Sequence, residues 1–265
     1  MADGGASPVR AVYGQKALLG RTMHSIEYDA IHDEFVVPQQ FAQAILTFEG
    51  GADGQVAPIR VIQGTKTKLM GLSRLALDPV NDEIFVPQGN SVLVYPRLGN
   101  GDVPPKRILQ ANVGGGGGAG AVAVDPIHDV LVVSGRSRSG PNAGRMSLSI
   151  YNRTDEGNTA PMRVIIGPNT GMISLGGPFR VYPPKGEIIV SIRGGTGETL
   201  ASDKSFVGIW SIEDDGDVPP RWTIGGPNGM LVMPRGIALD PKNKNLIVSD
   251  KRLNAVLTYY FPEMF

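Results

Sequence analysis

Three side chains in this sequence of 265 residues have types suited to acid–base chemistry on an anionic molecule: His24, Asp250 and Arg235. An imidazole can transfer a proton near neutral pH, a carboxylate can orient it, and a guanidinium can stabilise negative charge that develops during a reaction. We predict these as catalytic residues, together with a set of ligand-binding residues that carry cationic or amide groups. The ligand-binding set is Gln39, Arg74, Gln88, Arg136, Arg138 and Arg193.

Other kinds of chemistry lack their usual residues. The sequence has no Gly-x-Ser-x-Gly elbow, no His-Glu-x-x-His motif and no cysteine, so the common Ser, zinc and Cys sites are not indicated. Five consecutive glycines occur at 114–118, but no Gly-Lys-Ser/Thr follows them, and a flexible loop explains them better than a phosphate cradle. One carboxylate, Asp250, is too few for a hard divalent cation. We therefore predict no metal and no cofactor.

Charge and composition exclude several partners. Lys plus Arg and Asp plus Glu both total 25, so no overall field attracts nucleic acid or an anionic membrane. No apolar run reaches the roughly 18 residues of a membrane span, and the first ten residues lack the basic and apolar regions of a signal peptide. The sequence predicts a soluble protein, either cytoplasmic or exported with its signal removed, and it does not fix the oligomeric state.

An internal repeat determines which elements position these residues. Five prolines align along the chain: Pro8, Pro58, Pro105, Pro161 and Pro220. Two residues after each proline stands an arginine, except after the last, where Trp222 takes its place. Before each later proline lie two β-rich runs around a tight turn and a third run with an aromatic at one fixed position. These aromatics are Phe48, Tyr95, Tyr151, Trp210 and Tyr259.

Four short strands per repeat, stacked around an axis, predict an all-β fold: a single domain over residues 1–265 that is a five-bladed β-propeller of four-stranded antiparallel blades. The last repeat has three runs, so we expect the lone N-terminal run from Pro8 to complete its blade and close the ring. The proline run is then the outer edge strand, where a missing N–H is tolerated and arginine discourages edge pairing. Trp222 interrupts this column and could mark a contact patch.

Two further repeated features have structural interpretations. The acidic turns such as "GNGD" and "DDGD" have the residues that tight turns require, which we favour over calcium sites. His32 and His128 occupy equivalent places in their hairpins, which favours a shared structural role over catalysis.

The repeats resemble a known family. Pro234, Arg235 and Gly236, followed by Ser249 and Asp250, are similar to the NHL repeat and its bacterial relatives. The resemblance covers nearly the whole chain and implies a β-propeller, but the motif is structural and implies no activity. Most members of that family have six blades, whereas this sequence shows five.

The irregular loops indicate where a site should lie. Long loops follow the second strand of the third and fourth repeats, at residues 135–145 and 193–204. Basic side chains in them are expected to converge on one rim and to suit a carboxylate or phosphate; they are Arg136, Arg138, Arg145, Arg193 and Lys204. We expect a second group to encircle the axial opening, namely His24, Gln39, Arg74, Gln88, Arg235 and Asp250.

The sequence leaves two functions open. The first is a propeller that binds a small, anionic ligand or a protein partner on the face with the long loops of blades three and four. The alternative is a metal-independent lyase, cyclase or hydrolase at the axial mouth, with His24 as acid or base, Arg74 and Arg235 as clamps and Asp250 as the orienting group. A lectin with five equal sites is disfavoured because the loops differ between repeats.

Overall fold

The computed structural model describes residues 7–21, 23–111, 118–195 and 204–265. Within these residues the protein is an all-β, five-bladed β-propeller with five small antiparallel sheets in a ring, as predicted. The chain forms two compact units, one of Met1–Ile84 and Tyr95–Lys106, the other of Phe85–Val94 and Arg107–Phe265. A single domain over residues 1–265 stays a prediction.

Each sheet follows the chain from an inner to an outer strand. Sheet 1 contains β1 (Glu27–Asp29), β2 (Glu34–Gln39), β3 (Ala44–Glu49) and β4 (Arg60–Ile62). Sheet 2 contains β5 (Ala76–Asp78), β6 (Glu83–Gln88), β7 (Ser91–Pro96) and β8 (Arg107–Gln110). Sheet 3 contains β9 (Ala119–Asp125), β10 (Val130–Arg136), β11 (Met146–Asn152) and β12 (Arg163–Ile166).

Sheets 4 and 5 depart from this pattern. In sheet 4 two short strands, β13 (Ser174–Leu175) and β14 (Arg180–Tyr182), pair with β15 (Glu187–Arg193), which is followed by β16 (Phe206–Ser211) and β17 (Trp222–Gly225). In the described residues sheet 5 has three strands, β18 (Pro234–Asp240), β19 (Asn245–Asp250) and β20 (Ala255–Tyr260). Helix in the described segments is limited to short turns such as α1 (Gly226–Gly229). No helix in the described part of the chain is long and apolar enough to cross a membrane.

The repeated aromatics of the third strands lie in the core, as the repeat predicts. Phe48, Tyr95, Tyr151 and Trp210 are fully buried, and Tyr259 is partly buried. Trp210 belongs to a cluster formed by side chains of sheets 3 and 4. Burial of each such ring is worth about 1.5–3 kcal/mol, so this column contributes much of the packing energy.

The glycines of three acidic turns, Gly101, Gly157 and Gly216, each join two sheets. Gly101, in the turn between β7 and β8, donates its N–H to the Val61 carbonyl oxygen of β4 (2.7 Å) and accepts from the Gln63 N–H (3.1 Å). The neighbouring Asn100 Oδ1 accepts the Val61 N–H (3.0 Å). We call this set of contacts the Gly clasp. It satisfies main-chain groups on the outer strand, which would otherwise be an open sheet edge.

The clasp recurs along the chain with the same pair of main-chain bonds. Gly157 bonds the Ile108 oxygen (2.8 Å) and the Gln110 N–H (2.7 Å), and Gly216 bonds the Val164 oxygen (2.9 Å) and the Ile166 N–H (3.0 Å). The turn carboxylates add to it, because Asp102 Oδ1 accepts the Lys66 N–H (2.7 Å) and Asp217 Oδ1 accepts the Asn169 N–H (2.7 Å). These carboxylates bind main-chain N–H groups, which supports the turn interpretation over calcium.

The N-terminal segment makes the same clasp with sheet 1. Gly54 donates to the Ala11 oxygen (2.8 Å) and accepts from the Tyr13 N–H (3.2 Å), and Asp53 Oδ1 accepts the Ala11 N–H (2.9 Å). Residues 11–13 therefore occupy the same position beside the Gly54 turn of sheet 1 as β4 occupies beside the Gly101 turn of sheet 2. Val12 forms an isolated bridge to Gly54, so the predicted opening strand is shorter than expected. Closure of the ring by its pairing with β20 stays a prediction.

Two arginines of the edge-strand column make ion pairs within the protein, which supports the structural interpretation of the column. Arg60 forms an ion pair with Glu34, and Arg163 forms one with Glu213. Trp222, at the equivalent position of sheet 4, packs edge-on against Phe261, with ring centroids 6.1 Å apart. The tryptophan is therefore an internal packing contact of the C-terminal segment, although 43% of its surface remains exposed.

Replacement of the arginine leaves a carboxylate of sheet 4 without its usual partner. Glu187 begins β15 as Glu34 begins β2, but its Oε2 is buried and has no hydrogen-bond partner. The nearby Arg221 pairs with Asp214 instead (2.7 Å). Burial raises the pKa of Glu187, although Lys185 and Arg221 oppose the change.

Gly101 adopts φ +79°, so we predict that Gly101→Ala lowers the free energy of unfolding by about 1–2 kcal/mol, the cost of a left-handed conformation for a residue with a Cβ. A Cβ at this position would meet no atom within 4 Å, so the loss would come from the backbone. Gly51→Ala is the matched control, because its Cβ is equally free and its φ is outside that region. Equal stability of the two variants in urea unfolding would contradict this account.

Glu187→Gln is expected to stabilise the protein at pH 7. A raised pKa in the folded state means that the protonated carboxyl adds stability at low pH, and that this contribution is lost as the pH rises through the folded pKa. Glutamine keeps the neutral shape, so its advantage should disappear near about pH 4. Glu83→Gln is the control: Glu83 occupies the same place in sheet 2 and pairs with Lys106 (2.8 Å), so it should lose stability at pH 7. Destabilisation by Glu187→Gln at pH 7 would show that the carboxylate is satisfied.

Candidate functional site

The second strands of the sheets end in two different ways. β2, β6 and β19 have six residues and end at Gln39, Gln88 and Asp250. β10 and β15 have seven residues and end at Arg136 and Arg193. In these two sheets Gly135 and Ile192 occupy the position of the amide or carboxylate, and the strand continues by one residue to a guanidinium.

Asp250 holds the backbone of two loops. Its Oδ1 accepts the N–H groups of Arg252 (3.0 Å) and Leu253 (3.1 Å), and its Oδ2 accepts those of Val232 and Met233 (both 2.8 Å). The side chain is buried, and both oxygens are engaged by main-chain donors. These contacts explain Asp250 as a structural residue, and its catalytic role stays a prediction.

Gln39 has a similar part in the first unit. Its Oε1 accepts the N–H groups of Phe41 (2.8 Å) and Ala42 (3.0 Å), and its Nε2 donates to the Leu18 oxygen (3.2 Å). Gln88 and Arg74 are half-buried at the predicted strand ends. The group predicted to encircle the axial opening thus includes two residues, Gln39 and Asp250, whose polar atoms bind loop main chain.

His24 lies apart from these loop-capping contacts. Its side chain is exposed and lines an open cleft of about 560 Å³ over one face of sheet 1, with Arg10, Met23 and Phe35 among the other lining residues. His24 belongs to the first unit, whereas Arg235 and Asp250 belong to the second. Joint action of the three as a catalytic group stays a prediction.

Three of the predicted arginines converge on one short stretch of the second unit. We call residues 173–176 the inner segment; it contains β13 and lies among the side chains of Arg136, Arg193 and Arg235. Arg136 Nη2 donates to the Ile173 oxygen (3.1 Å), Arg193 donates to Ser174 Oγ (2.9 Å) and the Leu175 oxygen (3.1 Å), and Arg235 Nη1 donates to the Gly176 oxygen (2.9 Å). The segment fixes the orientation of each guanidinium.

A pocket of about 620 Å³ lies beside Ile173. Its cationic side chains are Arg136, Arg145 and Lys204, and within the described residues no acidic side chain lines it. Its apolar lining consists of Pro141, Ala143, Pro168, Met172, Ile173 and Phe206. Arg138 is exposed and does not line this pocket. Arg193 does not line it either, and donates to the Leu175 oxygen.

Local structure shapes this pocket. The loop after β10 closes on itself through bonds from the Ser137 N–H to the Arg145 oxygen (2.9 Å) and from the Gly144 N–H to the Ser137 oxygen (2.8 Å). Arg136 Nη1 also donates to the Gly144 oxygen, so the loop and the guanidinium hold each other. Gly171 has φ +66°, and a Cβ there would lie 3.3 Å from the Phe206 ring. The absence of that Cβ lets the ring lie against the connection.

The cations of this pocket have no acidic partner in the described residues. Elsewhere in the protein a basic side chain beside the sheets pairs with a carboxylate, as Arg97 does with Glu34 (2.7 Å) and Arg153 with Asp129 (2.6 Å). Arg136 instead contacts carbonyl oxygens only. The pocket therefore combines uncompensated positive charge with an apolar wall, which suits an anionic molecule.

The described residues also contain no candidate metal centre. Among the described residues no group of three or more His, Asp or Glu side chains could hold a metal ion. His32 and His128 each bond a buried aspartate through Nδ1, at 2.8 Å from Asp29 and Asp125 respectively. Burial opposes ionisation of Asp29, yet the hydrogen bonds from His32 and Ile31 hold its pKa below the usual value. These contacts support the structural interpretation of both histidines.

Asp250→Ala is expected to lower the free energy of unfolding by about 2–4 kcal/mol, because four main-chain N–H groups lose a charged acceptor at once. Lys251→Ala, next to it and exposed, should change stability by no more than about 0.5 kcal/mol. Chemical denaturation of the full chain measures both. An Asp250→Ala protein as stable as the control would mean that the carboxylate is free for another role.

No model of a known protein family matches the chain, and no curated protein matches it. The NHL-like character of the repeats therefore remains a resemblance, and the function has to be argued from the site itself.

Proposed function

We propose that the protein is a binding protein for a small molecule that has an anionic group and a flat apolar part, and that this molecule occupies the pocket lined by Arg136, Arg145 and Lys204. The observation that carries the proposal is the combination of these cations with an apolar wall and no acidic lining residue in the described chain.

The anionic group would be recognised by fixed and mobile cations together. Arg136 is half-buried and held by the Ile173 and Gly144 oxygens, so its remaining N–H donors are oriented before a ligand arrives. Arg145 and Lys204 are exposed and have no ion pair among the described residues, so they can move onto a carboxylate or phosphate. Charge-assisted hydrogen bonds of this kind contribute about 1.5–3 kcal/mol each.

The apolar part would lie against Phe206 and Ile173. Ile173 keeps 37% of its surface exposed at the pocket wall, although its neighbour Met172 is almost fully buried. Covering such a side chain removes apolar surface from water, and an aromatic ligand ring can stack on Phe206. The volume of about 620 Å³ falls in the range of small-molecule sites, which favours a small ligand over a protein partner.

Binding is favoured over catalysis for this pocket. Its lining residues in the described chain include no histidine, carboxylate, serine or threonine, and thus no side chain of the usual kinds for a base or a hydroxyl nucleophile. The predicted catalytic group of His24, Arg235 and Asp250 does not line it. The described lining therefore has the groups to hold an anion, which supports binding.

The proposal predicts that the protein prefers 2-naphthoate to 2-naphthamide, which has the same rings without the charge. We expect at least about tenfold tighter binding of the naphthoate by calorimetry, the effect of one charge-assisted bond. The double variant Arg145→Gln, Lys204→Gln should lose most of that preference and keep weak affinity for both compounds. Ile173→Ser should weaken the binding of both compounds equally.

A matched double variant, Lys16→Gln with Lys242→Gln, removes the same net charge from exposed positions outside the pocket and should bind like the wild type. Equal affinity of the wild type for the two compounds, or the same loss in both double variants, would refute the pocket as an anion site.

A further inference from the structure

Arg193 and Arg235 form a pair of like charges close to the inner segment. Both are half-buried, and they hold neighbouring oxygens, Leu175 for Arg193 and Gly176 for Arg235. Burial, and then the charge of Arg235, lower the pKa of Arg193, which reflects how near the two guanidinium groups lie.

Two glycines bring this pair together. A Cβ on Gly176 would lie 2.2 Å from the Pro234 oxygen, and one on Gly177 would lie 2.6 Å from the Arg235 oxygen. Only residues without a side chain allow these two stretches of main chain to approach so closely. In addition, Ser191 Oγ donates to the Arg235 oxygen (2.9 Å), which fixes the start of β18 against β15.

The pair lacks the compensation that other arginines in this fold receive. Arg60, Arg97, Arg153 and Arg163 each contact a carboxylate. Within the described residues Arg193 and Arg235 contact carbonyl and hydroxyl oxygens only. Two partly desolvated positive charges side by side repel each other, and an anion between them would remove that repulsion.

Enough donors remain for such an anion. A guanidinium has five N–H donors. Two are used on Arg193 and one on Arg235, which leaves three and four. Arg235 also borders a cleft of about 390 Å³, so an anion can reach it from solvent. The polar side chains that line the cleft with it are Ser249, Asp250, Lys251 and Asn254. The Asp250 carboxylate is already bound by four main-chain N–H groups, and Lys251 adds a third cation.

We propose that an oxyanion, the carboxylate or phosphate group of a small molecule, binds between Arg193 and Arg235. The site is distinct from the pocket of the proposed function, because neither arginine lines that pocket. It rests on the two arginines, which contact no carboxylate in the described chain, and on the Gly176–Gly177 approach, and it does not depend on a ligand in the pocket.

Inorganic phosphate and acetate are the probes for this site. In thermal unfolding at constant ionic strength, replacement of chloride by either anion should raise the Tm of the wild-type protein, because an anion that binds the folded state stabilises it. Arg193→Gln and Arg235→Gln should each weaken the anion affinity, derived from the concentration dependence of Tm, by about tenfold or more. If only one of the two anions raises the Tm, that result identifies which oxyanion the site binds.

Arg138→Gln is the control, since Arg138 is exposed and has no part in the pair. It should keep the full response to the anion. In the Arg145→Gln, Lys204→Gln double variant, which has lost two cations of the other pocket, a rise in Tm should remain, and this rise belongs to the Arg193–Arg235 site. A wild-type Tm that rises no more in phosphate or acetate than in chloride overturns the proposal. So does an unchanged response in both Arg193→Gln and Arg235→Gln. If either variant fails to fold, phosphorus NMR of phosphate in the presence of the wild-type protein replaces the thermal measurement. The Arg138→Gln protein is measured for comparison. The absence of line broadening with the wild type would refute phosphate binding.

Discussion

The Gly clasp is the interaction on which the rest of this structure depends. A β-sheet of four short strands has an edge with unpaired main-chain groups and two faces that it cannot bury alone. At Gly54, Gly101, Gly157 and Gly216 a turn of one sheet supplies both a donor and an acceptor to the outer strand or segment beside it. The repeated Gly turn of the sequence makes that contact, and the contact makes each repeat depend on its neighbour.

The candidate site lies where the second strands of sheets 3 and 4 depart from the repeat. Sheets 3 and 4 keep the clasp at Gly157 and Gly216, yet their second strands run one residue further and end in Arg136 and Arg193. At that end the strand no longer closes its own loop with an amide or carboxylate, as Gln39 and Asp250 do. The positive charge is turned instead toward the inner segment and the pocket beside it. A rigid outer contact thus permits an irregular inner surface.

Much of the fold could be predicted from the sequence because the same strand pattern recurs in each repeat. The aligned prolines give the edge strands, and the aromatic column from Phe48 to Trp210 gives the core. The clasp could not be predicted, since its bonds join different repeats and an alignment compares only equivalent positions. The same limit applies to the site: the loop arginines were found, but their convergence on residues 173–176 and the wall formed by Phe206 depend on packing between distant segments. For Asp250 the sequence shows the charge, whereas two of the main-chain donors that bind its carboxylate come from a distant loop.

Native-state hydrogen exchange of the clasp glycines tests the central claim most directly. The amides of Gly54, Gly101, Gly157 and Gly216 lie in turns, where exchange is normally fast because turns open locally at little cost. If the clasp holds the sheets together, these four amides should exchange as slowly as the amides of the central strands, because both then require unfolding of the sheet. Exchange at the rate of ordinary exposed turns, with the central strands still protected, would contradict the account.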